Sequence, residues 1–152
     1  MEVMQYGAIS FDTAADTTGF MLWQVTNLWQ REIRKALLPH GLTHSQFVLL
    51  ASMQLLARQN REVTQIVLSA QTRIDPMTTS TVLRTLQAKG LIHRQEHKRD
   101  TRAKTVALTD KGRELVTQAV VSVEAFDKGF FALLGAELPQ FNDQLLLLLA
   151  QE

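Results

Sequence analysis

The residues that could do chemistry lie close together. Ser80, Thr81, Arg84 and Thr85 fall on one side of a 3.6-residue wheel together with Met77 and Ala88, while Thr79, Val82, Leu83 and Leu86 fall on the other. A solvated helix face normally carries Glu, Lys and Gln, which are better helix formers than Ser and Thr. Small hydroxyls around one arginine make a slim surface that suits the major groove of a duplex. Hydroxyls can bond to phosphates or base edges, and a guanidinium can take guanine in two-pronged fashion. The ordinary alternative is a polar helix face that happens to be rich in Ser and Thr.

The flanking signals define the elements that would present this face. Asp75 can cap a helix start, Pro76 fits the first helical position, and Gly90 suits a left-handed stop with Lys89 in the last turn. Thr78 lies at the edge of the face in the first turn, where anions are favoured, and is a phosphate candidate. Leu91-Ile92 opens a strand, and Thr105 to Leu108 forms its return with Val106 and Leu108 on one face. Between them lies the basic turn His97-Lys98-Arg99-Asp100-Thr101-Arg102. Thr109 caps the next helix with Asp110 in its first turn, and Gly112 is an oddity inside it.

Charge separates this segment from the rest. Arg73 to Lys104 holds eight basic and three acidic residues, a net of +5, whereas the remainder holds eight basic and twelve acidic, a net of −4. An electropositive module on an acidic body is the footprint of a nucleic-acid binder. A chance cluster on a solvated loop would explain the basic turn but not its pairing with the hydroxyl-rich helix.

The 152 residues suit one domain. With no cysteine, disulfides, iron–sulfur clusters and thiol chemistry are excluded. The N-terminus lacks a basic region followed by an apolar run, and no window reaches the ~18 apolar residues that span a bilayer. A cytoplasmic protein without membrane contact is expected.

Along the chain, residues up to about Thr13 read as a loosely held arm. Asp16 is expected to cap a first helix ending near Leu38, where Pro39 and Gly41 stop it. Thr43 and Gln46 form a capping box for a second helix, His44 to about Gln59, with Phe47, Leu50 and Leu55 as buried candidates. Thr64 caps a short third helix to about Thr72, and Arg73-Ile74-Asp75 turns into the hydroxyl-faced fourth, giving a helix-turn-helix. A long fifth helix runs from Asp110 to about Leu134 and a sixth from Glu137 to Ala150. Phe126, Phe130, Phe131, Leu133 and Leu134, with Leu138, Phe141 and Leu145 to Leu149, make these last two too apolar to stand uncovered. A second copy of the chain is the expected cover, giving a twofold homodimer. The aromatics Phe20, Trp23, Trp29 and Phe47 read as core or interface.

Enzyme chemistry finds little support. His93-Arg94-Gln95-Glu96-His97 spells the H-x-x-E-H zinc-peptidase pattern, but that chemistry needs both histidines on one helical face. On a strand they would sit about 13 Å apart at ~3.3 Å per residue. His40 and His44 flank a turn and read as solvent-facing. No phosphate-binding glycine loop, Ser/His/Asp arrangement or paired carboxylates stands out, so no catalytic residue, metal or cofactor is expected.

Taken together, TVLRTLQAKGLIHR followed by DTRAKTVALTDKGREL resembles the MarR family of winged-helix transcription factors. The Asp-x-Arg wing signature is Asp100-Thr101-Arg102, and the closing Leu-Thr-x-x-Gly is Leu108 to Gly112. Motif-level likeness spans roughly residues 62 to 115. The resemblance implies a mainly α chain with a small antiparallel β-hairpin wing, a winged helix-turn-helix (43–109) embedded in a helical dimerisation domain (14–40 and 110–152) of a single 152-residue unit. It also implies a homodimer on a palindromic DNA operator, usually a repressor, often released by a small-molecule effector. Base reading then falls to Ser80, Thr81, Arg84 and Thr85. Arg102 would enter the minor groove with Asp100 orienting it, and Lys98, Arg99 and Lys104 would hold flanking phosphates. The chain departs from many relatives in lacking a basic residue near Thr81 and an acid near Arg84. The other class of function on this fold is a protein-interaction module, which would lack the basic wing and helix face.

Overall fold

The computed structural model describes residues 5–6, 9–10, 14–96, 99 and 104–151. A two-residue antiparallel pair, β1 (Gln5–Tyr6) and β2 (Ile9–Ser10), lies within the segment read as a loosely held arm. Helix α1 (Ala14–Leu37) follows, so Asp16 lies within it rather than capping it. A 3₁₀ turn (Leu38–His40) closes on Gly41, which takes the left-handed conformation at φ 67°. Then come α2 (His44–Arg58), α3 (Gln65–Thr72), α4 (Pro76–Ala88), β3 (Ile92–Glu96), β4 (Lys104–Leu108) and α5 (Asp110–Phe131). A second 3₁₀ stretch (Ala132–Glu137), broken at Gly135, separates α5 from α6 (Leu138–Leu149). The fold is mostly helical, with β3 and β4 as its antiparallel hairpin, the class expected.

Local chemistry accounts for these boundaries. Thr43 and Gln46 exchange hydrogen bonds as a capping box: Gln46 N donates to Thr43 Oγ1 at 3.2 Å, and Thr43 N to Gln46 Oε1 at 3.1 Å. Thr64 Oγ1 accepts from Val67 N at 3.1 Å at the start of α3. Arg73 ends α3 in the left-handed region at φ 59°, costly for a residue with a Cβ, and lets the chain turn sharply into α4.

The core gathers where α2, α3, α4 and α5 meet the hairpin. Leu49, Leu50, Met53 and Leu56 of α2 pack with Leu68, Leu83, Leu86 and Val116, all at most 1% exposed. Leu55, expected among them, is 48% exposed; the α2 stripe instead runs through its neighbour Leu56. Thr79 is fully buried yet satisfied, since its hydroxyl donates to Ile74 O at 3.3 Å. Ile74 O also accepts from Ser69 Oγ at 2.7 Å, so two hydroxyls fasten the turn between α3 and α4.

The hairpin pairs Ile92 with Leu108 through to Glu96 with Lys104. Val63 extends the pairing at the middle of β4, accepting from Val106 N at 2.9 Å. At the root of the hairpin Gly112 resolves its own oddity. A Cβ there would lie 2.0 Å from Leu91 O and 2.9 Å from Leu91 C, inside backbone that cannot swing aside. Gly112→Ala should therefore destabilise the chain by about 3 kcal/mol or more, as overpacking into a fixed neighbour does. Urea unfolding should show a lower midpoint at an unchanged slope; an unaltered midpoint would mean the contact yields.

Candidate nucleic-acid interface

The face of α4 is built from its two ends inward. Asp75 caps the start with both carboxylate oxygens: Thr78 N donates to Oδ1 at 2.8 Å and Thr78 Oγ1 to Oδ2 at 2.6 Å. These bonds, led by the Thr78 hydroxyl, hold the Asp75 carboxyl below its ordinary pKa. The place an anion would take at this helix start is thus filled by the protein's own carboxylate. At the far end Gly90 adopts φ 74°, and Leu91 N donates to Leu86 O at 3.0 Å, closing the last turn as a Schellman stop. Lys89 does more than sit near the helix dipole. Its Nζ donates to Gly41 O at 3.1 Å and Gln46 Oε1 at 3.3 Å, pinning α4 to the start of α2.

Between these ends the sequence places the buried and outward residues correctly. Thr79, Leu83 and Leu86 are buried, while Met77, Thr81, Arg84, Thr85 and Ala88 are exposed and Ser80 is half-buried. Thr81 Oγ1 donates to Met77 O at 3.0 Å and Thr85 Oγ1 to Thr81 O at 3.3 Å. With their protons given back to the helix, these threonines present lone pairs and methyl groups outward. Such a surface can accept from the exocyclic amines of adenine or cytosine and pack on a thymine methyl. Arg84 Nη2 donates to Ser80 Oγ at 3.3 Å, which lays its guanidinium along the face.

In the wing, Arg99 is exposed, and Lys104 Nζ lies 3.8 Å from Glu96 Oε1 across the hairpin. Lys98, Asp100 and Arg102, with His97 of the H-x-x-E-H string, lie outside the described residues. His93 and Glu96 of that string belong to β3, not to a helix. Among the described residues no group of three or more His, Asp or Glu is placed to hold a metal ion. No helix among them is long and apolar enough to cross a membrane.

Two residues of this region carry more than the sequence disclosed. Arg94 of β3 donates through Nε to Gln65 Oε1 at 2.9 Å and through Nη2 to the same oxygen. Burial, and then the neighbouring charge of Arg84, hold the Arg94 guanidinium below its ordinary pKa. Only the alternation of β3, which turns Arg94 to the same face as Ile92, could have signalled this.

A second polar cluster ties α5 to the body. Trp29 Nε1 donates to Asp127 Oδ1 at 2.8 Å, and His40 Nε2 is paired with Ser122 Oγ at 2.8 Å. His44 stands edge-on to Trp29 with ring centroids 5.0 Å apart, and burial pushes its pKa down. Both histidines are therefore half-buried, not solvent-facing as their turn position suggests.

A buried three-helix support, a helix with a hydroxyl face and a hairpin beside it define a winged helix-turn-helix. Residues 40–125 match the ArnR1-like winged-helix domain family. The chain is 44% identical over 114 residues to the Bacillus subtilis HTH-type transcriptional regulator YdcH, covering 75% of this chain and 78% of that one. It is 30% identical over 118 residues to the Mycobacterium tuberculosis HTH-type transcriptional repressor Rv2887, covering 78% and 82%. A MarR-family transcriptional regulator from Rhodococcus sp. RHA1 superposes with a TM-score of 0.76 at 27% identity, over 89% of this chain and 94% of that one. The chain belongs to the MarR family of winged-helix transcriptional regulators. It is a regulator and not an enzyme.

The Asp75 cap gives α4 a pH signature. Because the folded-state pKa is lowered, its contribution is complete above the ordinary carboxylate value and is lost as pH falls through the lower folded value. As pH drops below the ordinary carboxylate range of about 4, wild-type melting temperature should therefore fall more steeply than that of Asp75→Asn, which keeps a capping oxygen but does not titrate. Parallel slopes would detach the cap from acid stability.

Proposed function

We propose that the chain is a homodimeric repressor that reads a palindromic operator with α4 and grips its flanks with the wing. The observation that carries this reading is the outward hydroxyl face of α4, capped at both ends and resting on a buried core. Ser80, Thr81, Arg84 and Thr85 take the base edges. Thr78 serves the face by holding the start of α4 to Asp75. Arg99 and Lys104, with Lys98, hold phosphates, and Arg102, oriented by Asp100, enters the minor groove, a role the family resemblance supplies. Relatives named as regulators and a repressor support the same direction.

Dimerisation is supported by surface that one copy leaves bare. On α1, Met21, Leu22, Trp23, Val25 and Leu28 are exposed, and α6 has no buried residue, with Leu146 to Leu149 all more than half exposed. Monomers rarely present so much apolar area. A twofold pair would set two α4 helices in successive major-groove turns, with half-site centres about 10 bp apart. Release by a small organic effector, which the family resemblance implies, completes the reading.

The test is fluorescence anisotropy on duplexes selected by the protein from a random pool. Wild type should bind an inverted repeat, more weakly as salt rises. Arg84→Ala should cost roughly 1–3 kcal/mol of discrimination at one base pair per half-site; an unaltered preference would displace the base-reading role from this face. Sedimentation at micromolar concentration should give a dimer, and Leu146→Lys with Leu147→Lys should shift it toward monomer. A wild-type monomer would remove the palindrome along with the dimer.

A further inference from the structure

Arg94 is an unusual arginine. It is half-buried on β3, opposite Val106, at the seam where the hairpin meets α3 and α4. A guanidinium drawn out of water is normally met by a carboxylate, because desolvating an uncompensated charge is expensive. Here the partner is the neutral amide oxygen of Gln65, the first residue of α3, which accepts from both Nε and Nη2. Behind burial, the charge of Arg84 adds to the lowering of the Arg94 pKa, and the bond Arg84 itself makes among the described residues goes to the Ser80 hydroxyl. No carboxylate is paired with either guanidinium among the described residues. Among the described residues both guanidiniums thus rest on neutral supports.

That arrangement is unfavourable alone and favourable around an anion with oxygens on two sides. A phosphodiester supplies one negative charge and two non-bridging oxygens that the planar fork of a guanidinium can take together. Gln65 spends its oxygen on Arg94, which fixes the fork and leaves the amide N–H groups as further donors.

We propose that Arg94 is a DNA-backbone contact in its own right: it takes a phosphate at the seam between α4 and the wing, Gln65 acts as its positioning residue, and Arg84 is left to the base edge. The inference rests on the DNA-reading role of α4. Its distinguishing mark is electrostatic, since a lost phosphate contact lowers the salt dependence of binding whereas a lost structural contact does not.

The measurement is the slope of log affinity against log salt on the selected duplex and on a scrambled one. Arg94→Gln should weaken both about tenfold near 0.1 M salt and reduce the slope by about 0.9 per protomer. Arg94→Lys should keep the slope and lose a few-fold in affinity, because charge remains while the fork is gone. Gln65→Ala should weaken binding a few-fold at an unchanged slope. If wild type binds and Arg94→Gln keeps the wild-type slope, the proposal is overturned, whether affinity holds or falls together with melting temperature. If wild type grips no duplex at all, the DNA-reading role fails first and takes this contact with it.

Discussion

The backbone of Leu91 is the joint on which the rest of the molecule turns. Its N–H ends α4 by donating to Leu86 O, and its carbonyl accepts from Thr109 N at 3.1 Å, where α5 begins. Gly112 of α5 sits so close to that carbonyl that no side chain fits between them. Thr109 Oγ1 adds a bond to Gly90 O at 2.8 Å, and Lys111 Nζ one to Lys89 O at 3.3 Å. Five contacts over three residues thus weld the end of α4, the root of the wing and the start of α5 into one piece. Packed interiors deform little, so a shift of α5 here carries α4 and β3 with it.

That weld gives the other polar cluster a mechanical meaning. Trp29 to Asp127 and His40 to Ser122 fasten the middle of α5 to α1 and to the turn that follows it. Helix α5 is therefore anchored twice, at its first turn to the winged module and farther along to α1. Arg73 adds a third tie, donating from Nη2 to Leu149 O at 2.8 Å, so the turn inside the helix-turn-helix touches the end of α6. The position of α4 is determined by the helical frame as much as by its own neighbours.

What the residues disclosed in advance is what short-range chemistry controls. The caps at Thr43, Thr64, Asp75 and Thr109 are local bargains between a side chain and the next turn, and each is found at its expected residue. The two faces of α4 follow from period alone. Asp16 aside, the failures share a cause, which is that burial and pairing are settled by elements far away in sequence. Leu55 satisfies the apolar stripe of α2 but is left about half exposed by its neighbours. His40 and His44 flank a turn that α1 and α5 happen to enclose. Gly112 needed the position of Leu91, and Arg94 needed α3 and α4, before either residue acquired a reason.

A hydroxyl-faced helix is intrinsically poor, since threonine and serine form helices less well than the Glu, Lys and Gln they replace. Two of its threonines also bond back to carbonyls one turn earlier, which loosens a helix further. Helix α4 is thirteen residues long and would be marginal by itself. It stands because the deficit on the outward face is offset at its ends and underside: the Asp75 cap, the Gly90 stop, the Lys89 tie to α2, and Leu83 and Leu86 in the core. Only such external support lets a sequence place small, groove-sized side chains where a self-sufficient helix would need long charged ones. The face is free to be chosen for what it touches because its stability is supplied from elsewhere.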